Sequence, residues 1–125
     1  MSPRVLVVDD DDAIREVAQM SLELVAGWQV VVASSGEEAV DICLADPPDA
    51  ILLDVMMPTM DGPTTFARLQ AHTRTRDVPV VLLTAKVQAA ERRKWEQLGV
   101  AGVLAKPFDP LLLPGEVAEL LGWTS

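Results

Sequence analysis

The stretch Ala50-Ile51-Leu52-Leu53-Asp54 is an apolar run that ends in a carboxylate. An ionised group at the end of a buried run is costly to desolvate unless a cation or a metal ion compensates its charge. The segments that follow, Val55-Met56-Met57-Pro58 and Met60-Asp61-Gly62-Pro63, are typical of a loop that leads into the first turn of a helix. We therefore predict a buried strand over 50–54, with Asp54 as the first functional candidate.

Four other short apolar runs have the length and composition of strands. They are rich in aliphatic and β-branched residues and cover positions 5–8, 29–33, 78–83 and 102–105. Continuous apolar runs of this kind are typical of parallel strands that are covered on both faces. Together with 50–54, they predict a five-stranded parallel sheet.

The segments between and after these strands predict five helices. Asp12 is expected to cap the first, a capping box at Ser35 and Glu38 to open the second, and Asp61 to cap the third. Pro114 marks the first turn of the last helix or kinks it. The first helix has apolar residues at helical spacing, namely Ile14, Val17, Ala18, Leu22 and Val25. The helices are predicted to end near 27, 45, 72, 98 and 121.

Length and composition restrict the class of protein. With 125 residues, half of them hydrophobic, we expect a single domain over 1–125 with no output domain. A net charge of -9 argues against direct binding to nucleic acid, which requires clustered Lys and Arg. The single cysteine, Cys43, cannot form an internal disulfide and is expected to pack in the core. Because neither a signal peptide nor a membrane span is evident, we predict a cytoplasmic protein without membrane contact.

Polar side chains follow four of the five predicted strands. Asp9 and Asp10 come after the first strand, Asp54 ends the third, Thr84 closes the fourth and Lys106 follows the fifth. Strands that alternate with helices form a parallel sheet between two helical layers, and ligands bind beyond the carboxyl ends of its strands. The sequence therefore predicts a three-layer α/β sandwich in which these residues share one crevice.

The chemistry of this residue set favours a divalent metal. Three carboxylates repel one another, and Lys106 supplies only one compensating charge. All-oxygen ligation suits Mg²⁺, whereas zinc is disfavoured because His72 and Cys43 are remote from the strand ends. Lys106 and Thr84 are suited to contact phosphoryl oxygens by charge and by hydroxyl donation. The set is therefore typical of phosphoryl transfer to a carboxylate.

Four motifs carry a resemblance to a known family, and they occur in order along the chain. They are Val7-Val8-Asp9-Asp10, then Leu53-Asp54 with Met57-Pro58 and Met60-Asp61-Gly62, then Leu83-Thr84-Ala85, and finally Lys106-Pro107-Phe108. Over about residues 4–121 the chain resembles the CheY-like receiver domain of bacterial two-component response regulators. The resemblance implies a flavodoxin-like fold with five helices and the strand order 2-1-3-4-5.

The resemblance also implies residue roles. Asp54 would be the phosphoacceptor, receiving a phosphoryl group from the phosphohistidine of a histidine kinase or a histidine phosphotransfer protein. Thr84 and Lys106 would contact the acyl phosphate, and the Lys106-Pro107 peptide bond would be cis. Mg²⁺ would be bound by Asp10, Asp54 and the backbone carbonyl of Met56, with Asp9 acting through water. Such a domain is not an enzyme for an external substrate, since it only phosphorylates and dephosphorylates itself and thereby switches the binding of an output partner, which the sequence does not name.

One position departs from the family pattern. An aromatic residue commonly lies three positions before the lysine, whereas this chain has Val103. We therefore expect phosphorylation to be read mainly through displacement of Thr84, of the loop 85–88 and of the helix after it. Lys86 and Met56 occupy positions that, in the family, influence how long the phosphoryl group lasts.

Two other functions are compatible with the sequence. The first is a receiver-like platform that binds partners without phosphorylation. The second is a Mg²⁺-dependent phosphohydrolase with an aspartyl-phosphate intermediate, which usually needs a second acid at the position of Met56. The segment Arg92-Arg93-Lys94 is either a solvated helix face or a surface for an acidic partner.

Overall fold

The chain folds into a parallel sheet with helices on both faces. A computed structural model describes residues 2–85 and 88–123. Strands and helices alternate over this part of the chain, in the order β1 (Arg4–Val8), α1 (Asp12–Leu24), β2 (Gln29–Ala33), α2 (Gly36–Ala45), β3 (Ala50–Asp54), α3 (Gly62–Gln70), β4 (Val80–Thr84), α4 (Ala89–Gln97), β5 (Gly102–Ala105) and α5 (Leu113–Leu121). All five predicted strands and all five predicted helices are present.

The strands form one sheet in the order β2-β1-β3-β4-β5, and every neighbouring pair is parallel. One core lies between the sheet and α2, α3 and α4, and it contains Leu53, Phe66 and Trp95. The other core lies between the sheet and the pair α1 and α5, where Leu52 and Leu113 are buried. The predicted three-layer α/β sandwich, its flavodoxin-like topology and the strand order are therefore confirmed.

Local signals explain where two of the helices begin. The Ser35 hydroxyl accepts a hydrogen bond from the backbone N–H of Glu38 at 3.1 Å, and the Glu38 carboxylate accepts one from the N–H of Ser34 at 2.9 Å. The predicted capping box is thus present, although the glutamate binds one residue before the N-cap. Asp61 caps α3 as predicted, since its carboxylate accepts from the N–H of Thr64 at 2.8 Å.

The start of α1 corrects one prediction. Asp11, and not Asp12, is the N-cap, because the Asp11 carboxylate accepts hydrogen bonds from the N–H groups of Ala13 at 2.9 Å and Ile14 at 3.2 Å. Asp12 is the first helical residue. In a run of four acids each one satisfies the capping preference, so composition alone does not determine which carboxylate is used.

The buried face of α1 also differs from the apolar stripe read from the sequence. The side chains buried against the sheet are Ala18, Ser21 and Leu22. Val17 and Val25 are 40% and 50% exposed. The polar Ser21 is accommodated because its hydroxyl donates to the backbone carbonyl of Pro110, in the loop before α5.

Pro114 lies in the first turn of α5, which resolves the two alternatives for this proline. Cys43 is completely buried against the sheet, and burial raises the pKa of its thiol to about 11, so it packs in the core as predicted. Helix α4 buries only Trp95 and has no side-chain cap at its N-terminus. Among the described residues, no helix has both the length and the apolar character needed to cross a bilayer.

Candidate functional site

Three charged side chains from distant parts of the chain meet at the carboxyl edge of the sheet. Asp9 follows β1 and is 1% exposed, and Asp54 ends β3 and is 4% exposed. The Lys106 ammonium donates hydrogen bonds to the Asp9 carboxylate at 2.7 Å and to the Asp54 carboxylate at 2.9 Å. One lysine after β5 therefore bridges two buried carboxylates, each of which ends a different strand.

The backbone around Asp9 is held by several hydrogen bonds. Its N–H donates to the carbonyl of Ala33 at 3.2 Å, and its carboxylate accepts from the N–H of Asp11 at 2.9 Å. Its carbonyl oxygen accepts from the guanidinium of Arg15 at 2.8 Å, and the same guanidinium forms an ion pair with Asp12. The sequence motifs do not include Arg15. The one available signal was its spacing of three residues from Asp12, which places the two side chains on the same helix face.

The acidic side chains form a group that could hold a metal ion. One carboxylate oxygen from each of Asp9, Asp10 and Asp54 can be chosen so that all three lie within 4.8 Å of one another. Asp9 and Asp54 are buried and Asp10 is exposed, so the group opens to solvent on the side of Asp10. An oxygen-only ligand set fits the preference of Mg²⁺, which keeps several waters and needs few protein carboxylates.

The electrostatic environment perturbs the carboxyl group of Asp54. Burial raises the pKa of Asp54, and the charge of Asp9 acts in the same direction. The hydrogen bond from Lys106 and that from the backbone N–H of Met56 oppose this change, but the net pKa lies above the usual value. The ionised form of Asp54 is therefore only partly compensated by the groups around it.

The pKa of Lys106 is raised, which keeps this side chain charged. Burial alone would lower the pKa of its ammonium group, but the hydrogen bonds and the negative charges of Asp9 and Asp54 outweigh burial and raise the pKa. Lys106 is therefore protonated over the physiological pH range, and it remains a cation beside the two carboxylates.

The strands and loops that carry these groups are closely connected. Thr84 ends β4 and is 4% exposed, and its carbonyl accepts from the N–H of Lys106 at 2.8 Å. The Lys106-Pro107 peptide bond is cis, as the resemblance implied. Farther along the same loop, the carbonyl of Pro110 accepts the hydroxyl hydrogen bond of Ser21. Helix α1 therefore makes two contacts near the site. Ser21 binds the loop that carries Lys106, and Arg15 binds the backbone of Asp9.

The loop after Asp54 approaches the site through a glycine. The N–H of Gly62 donates to the carbonyl of Val55 at 2.9 Å. A β-carbon on Gly62 would lie 2.5 Å from the carbonyl oxygen of Asp54 and 2.9 Å from the α-carbon of Val55. Only glycine permits this close approach between the first turn of α3 and the backbone of Asp54.

Met56 and Val103 differ in exposure. The side chain of Met56 is 75% exposed, and Val103 is 3% exposed and belongs to the core. Lys86, together with part of the loop 85–88, lies outside the described residues. The side chains of the segment Arg92-Arg93-Lys94 are exposed on α4.

The fold and the site together define a class of protein: a flavodoxin-like α/β domain with lysine-bridged carboxylates at the carboxyl edge of its sheet. The chain belongs to the response regulator receiver domain family, whose family model matches residues 5–118. The resemblance inferred from the four motifs is therefore confirmed.

Individual relatives agree with this assignment. The chain is 43% identical to the response regulator MprA of Mycobacterium tuberculosis over 108 residues, which cover 86% of this chain and 46% of MprA. It is 38% identical over 119 residues to RpaA of Synechocystis sp., a DNA-binding dual master transcriptional regulator, covering 95% of this chain and 49% of RpaA. The chain thus spans about half the length of these curated relatives.

Solved structures show the same fold. The chemotaxis protein CheY4 of Vibrio cholerae superimposes with a TM-score of 0.89 at 28% identity, covering 96% of this chain and 99% of CheY4. The receiver domain of the Francisella response regulator 1452 gives a TM-score of 0.86 at 30% identity, with coverage of 97% and 98% of the two chains.

Proposed function

We propose that this chain is the phosphoacceptor domain of a two-component system, and that Asp54 accepts a phosphoryl group from the phosphohistidine of a histidine kinase or a histidine phosphotransfer protein. The observation that carries the proposal is the placement of Asp54, which is buried at the end of β3 beside Asp9 and hydrogen-bonded to Lys106. Membership in the receiver family supports the same role and the same type of donor.

The proposed reaction is a direct transfer between two side chains. A carboxylate oxygen of Asp54 attacks phosphorus, the bond between phosphorus and the histidine nitrogen breaks, and the imidazole leaves with the electron pair of that bond. Lys106 is placed to bind a phosphoryl oxygen, because its ammonium already lies 2.9 Å from Asp54. Thr84 is proposed as a hydroxyl donor to another phosphoryl oxygen, because it ends β4 directly after Leu83, the residue that pairs with Asp54 in the sheet.

The acid group is proposed as a Mg²⁺ site. Asp10, Asp54 and the backbone carbonyl of Met56 would bind the ion directly, and Asp9 would act through water. When bound, Mg²⁺ would offset negative charge on the transferring phosphoryl group. The support in this chain is the close approach of three carboxylates, for which Lys106 supplies only partial compensation.

Phosphorylation would alter the contacts that connect the strand ends. Lys106 bridges Asp9 and Asp54, so a phosphoryl group on Asp54 requires this bridge to be rearranged. Because the N–H of Lys106 binds the carbonyl of Thr84, a change at the lysine reaches β4 and the segment that follows it. We propose that this rearrangement switches the binding of an output partner.

The intact mass of the protein after incubation with acetyl phosphate and Mg²⁺ tests the proposal. The comparison includes wild type, Asp54→Asn, Asp61→Asn and wild type with the metal removed by a chelator. Asp61→Asn is a matched control, because Asp61 is an exposed acid in the same segment and asparagine preserves its cap on α3.

We expect one phosphoryl addition in wild type and in Asp61→Asn, and none in Asp54→Asn or without metal. A folded wild-type protein that gains no mass would contradict the proposal and favour a phosphate-independent platform. Continuous turnover of simple phosphate esters would instead identify a phosphohydrolase.

A further inference from the structure

We propose that Arg15 is a positioning residue for the Asp9–Asp10 peptide and that the Mg²⁺ affinity of the site depends on it. The inference rests on the proposed function, since it takes the acid group at the end of β1 and β3 to be the Mg²⁺ site. It adds a residue of α1 that is not itself a ligand but determines where the ligands lie.

The contacts of Arg15 connect the helix to the backbone of the site. One terminal nitrogen of its guanidinium donates to the carbonyl oxygen of Asp9 at 2.8 Å. The other terminal nitrogen forms an ion pair with the carboxylate of Asp12. The side chain is 19% exposed, so the contact with Asp9 is largely protected from water. A planar guanidinium can bind two acceptors at once, which fixes its orientation.

The accepting oxygen belongs to the peptide bond between Asp9 and Asp10. A peptide unit is planar, so a hydrogen bond to this oxygen restricts the direction of the whole Asp9–Asp10 peptide. It therefore also restricts the position of the Asp10 α-carbon. The Asp9 carboxylate has its own partners in Lys106 and the N–H of Asp11. Within residues 2–85 and 88–123, no hydrogen bond or ion pair holds the exposed carboxylate of Asp10. Its position therefore depends on the backbone that Arg15 binds.

The charge and the geometry of Arg15 predict opposite effects on Mg²⁺. A guanidinium repels a cation, so removal of the charge alone would strengthen Mg²⁺ binding. Loss of the hydrogen bond to Asp9 would instead weaken binding, because an outer residue that orients ligands commonly contributes about tenfold or more to metal affinity. We expect the effect of geometry to dominate, because the site opens to solvent beside Asp10, which screens the charge of Arg15, whereas the hydrogen bond to Asp9 acts directly on the backbone of the ligands.

Calorimetric titration with Mg²⁺ alone, without any phosphoryl donor, separates these effects. The variants are Arg15→Lys, Arg15→Met and the control Arg93→Met, which removes an exposed arginine on α4. Arg15→Lys keeps the net charge but cannot bind Asp9 and Asp12 with two fixed donors. We expect the Kd for Mg²⁺ to rise about tenfold in Arg15→Met and severalfold in Arg15→Lys, and to change less than about twofold in the control.

A second measurement separates positioning from general loss of structure. Urea unfolding without Mg²⁺ checks that each variant is folded, and the amide NMR shifts of the metal-free protein report local changes. In Arg15→Lys we expect the amide of Asp10 to shift while the amide of Leu82, in the centre of β4, stays in place.

The outcomes distinguish this inference from the proposed function. If wild type binds Mg²⁺ and Arg15→Lys binds it equally well, or if Arg15→Met binds it more tightly, Arg15 has no positioning role although the metal site stands. If wild type itself binds no Mg²⁺, the metal site of the proposed function fails and the role of Arg15 fails with it.

Discussion

The centre of the sheet and its carboxyl edge both contain buried side chains, but these side chains are chemically opposite. In the centre, Leu6, Leu52 and Leu82 are at most 1% exposed and belong to the two apolar cores. At the edge, Asp9 and Asp54 are also almost inaccessible, yet both are carboxylates bridged by one lysine. Burial stabilises the fold in the first region and opposes the charged state in the second.

This difference separates the residues that stabilise the fold from those that the proposed function requires. The raised pKa of Asp54 means that folding disfavours its ionised form despite the hydrogen bond from Lys106. A sequence selected only for stability would place apolar or neutral side chains at this edge. The apolar centre therefore supplies the stability that keeps an unfavourable group of charges in place.

Truncation of a side chain in the centre of the sheet is expected to have the largest effect on stability. It should leave the Mg²⁺ affinity of the site unchanged. Leu52→Ala should lower the free energy of unfolding by about 3–4 kcal/mol, because it leaves a cavity between the sheet and α1 and α5. Urea unfolding measures this loss, and calorimetry should give an unchanged Kd for Mg²⁺. Leu112→Ala is the matched control, since Leu112 is 59% exposed, and a loss as large as that of Leu52→Ala would contradict the account.

Removal of the bridging lysine is expected to have the next largest effect on stability, and Mg²⁺ should reverse part of this effect. Lys106→Met should cost about 3 kcal/mol, because it leaves two buried carboxylates without their cation. Mg²⁺ should recover part of this loss in urea unfolding by supplying the missing positive charge. The control Lys94→Met removes an exposed lysine of α4. Equal costs for the two variants would mean that the bridge does not stabilise the edge.

A methyl group at the glycine beside Asp54 tests the contact between the edge and α3. In Gly62→Ala the new β-carbon would meet the backbone of Asp54 and Val55, so we expect a loss of about 2 kcal/mol. Gly115→Ala is the control, since a β-carbon at Gly115 meets nothing within 4 Å. The Mg²⁺ affinity should also fall in Gly62→Ala but not in Gly115→Ala. An unchanged stability would show that the loop moves aside without cost.

Much of this architecture could be predicted from the sequence because its signals are local. Runs such as Ala50–Asp54 have strand composition, and the carboxyl ends of parallel strands meet at one edge whatever the details of packing. From the sequence alone, this rule predicts that Asp9, Asp54 and Lys106 share one crevice. The strand order followed from the resemblance of the motifs, not from the composition of the strands.

The parts that sequence did not predict depend on three-dimensional contacts. Helical periodicity assigned Val17 and Val25 to the buried face of α1, but the sheet and the Pro110 loop cover Ser21 instead. Arg15 appeared as an ordinary helical charge, since its partner is a backbone carbonyl that has no sequence signature. Likewise, a run of four acids does not reveal that Asp11 is the cap.

The stability of wild type and Asp54→Asn, measured by urea unfolding with and without Mg²⁺, tests the central claim most directly. The raised pKa of Asp54 makes its ionised form a stability cost at pH values above both the usual 3.8 and the folded pKa. Without Mg²⁺, Asp54→Asn should therefore be the more stable protein at neutral pH, and this advantage should shrink as the pH falls toward 3.8. Single stabilising substitutions commonly contribute up to about 2 kcal/mol, so the advantage should stay within that range.

With Mg²⁺ at about 100 times its Kd, wild type should gain about 2.7 kcal/mol and Asp54→Asn much less, so that the order of stability reverses. This reversal is the predicted result. Equal gains for the two proteins, or no gain for wild type, would contradict the claim that the carboxyl edge is built around Asp54 as a site for a cation.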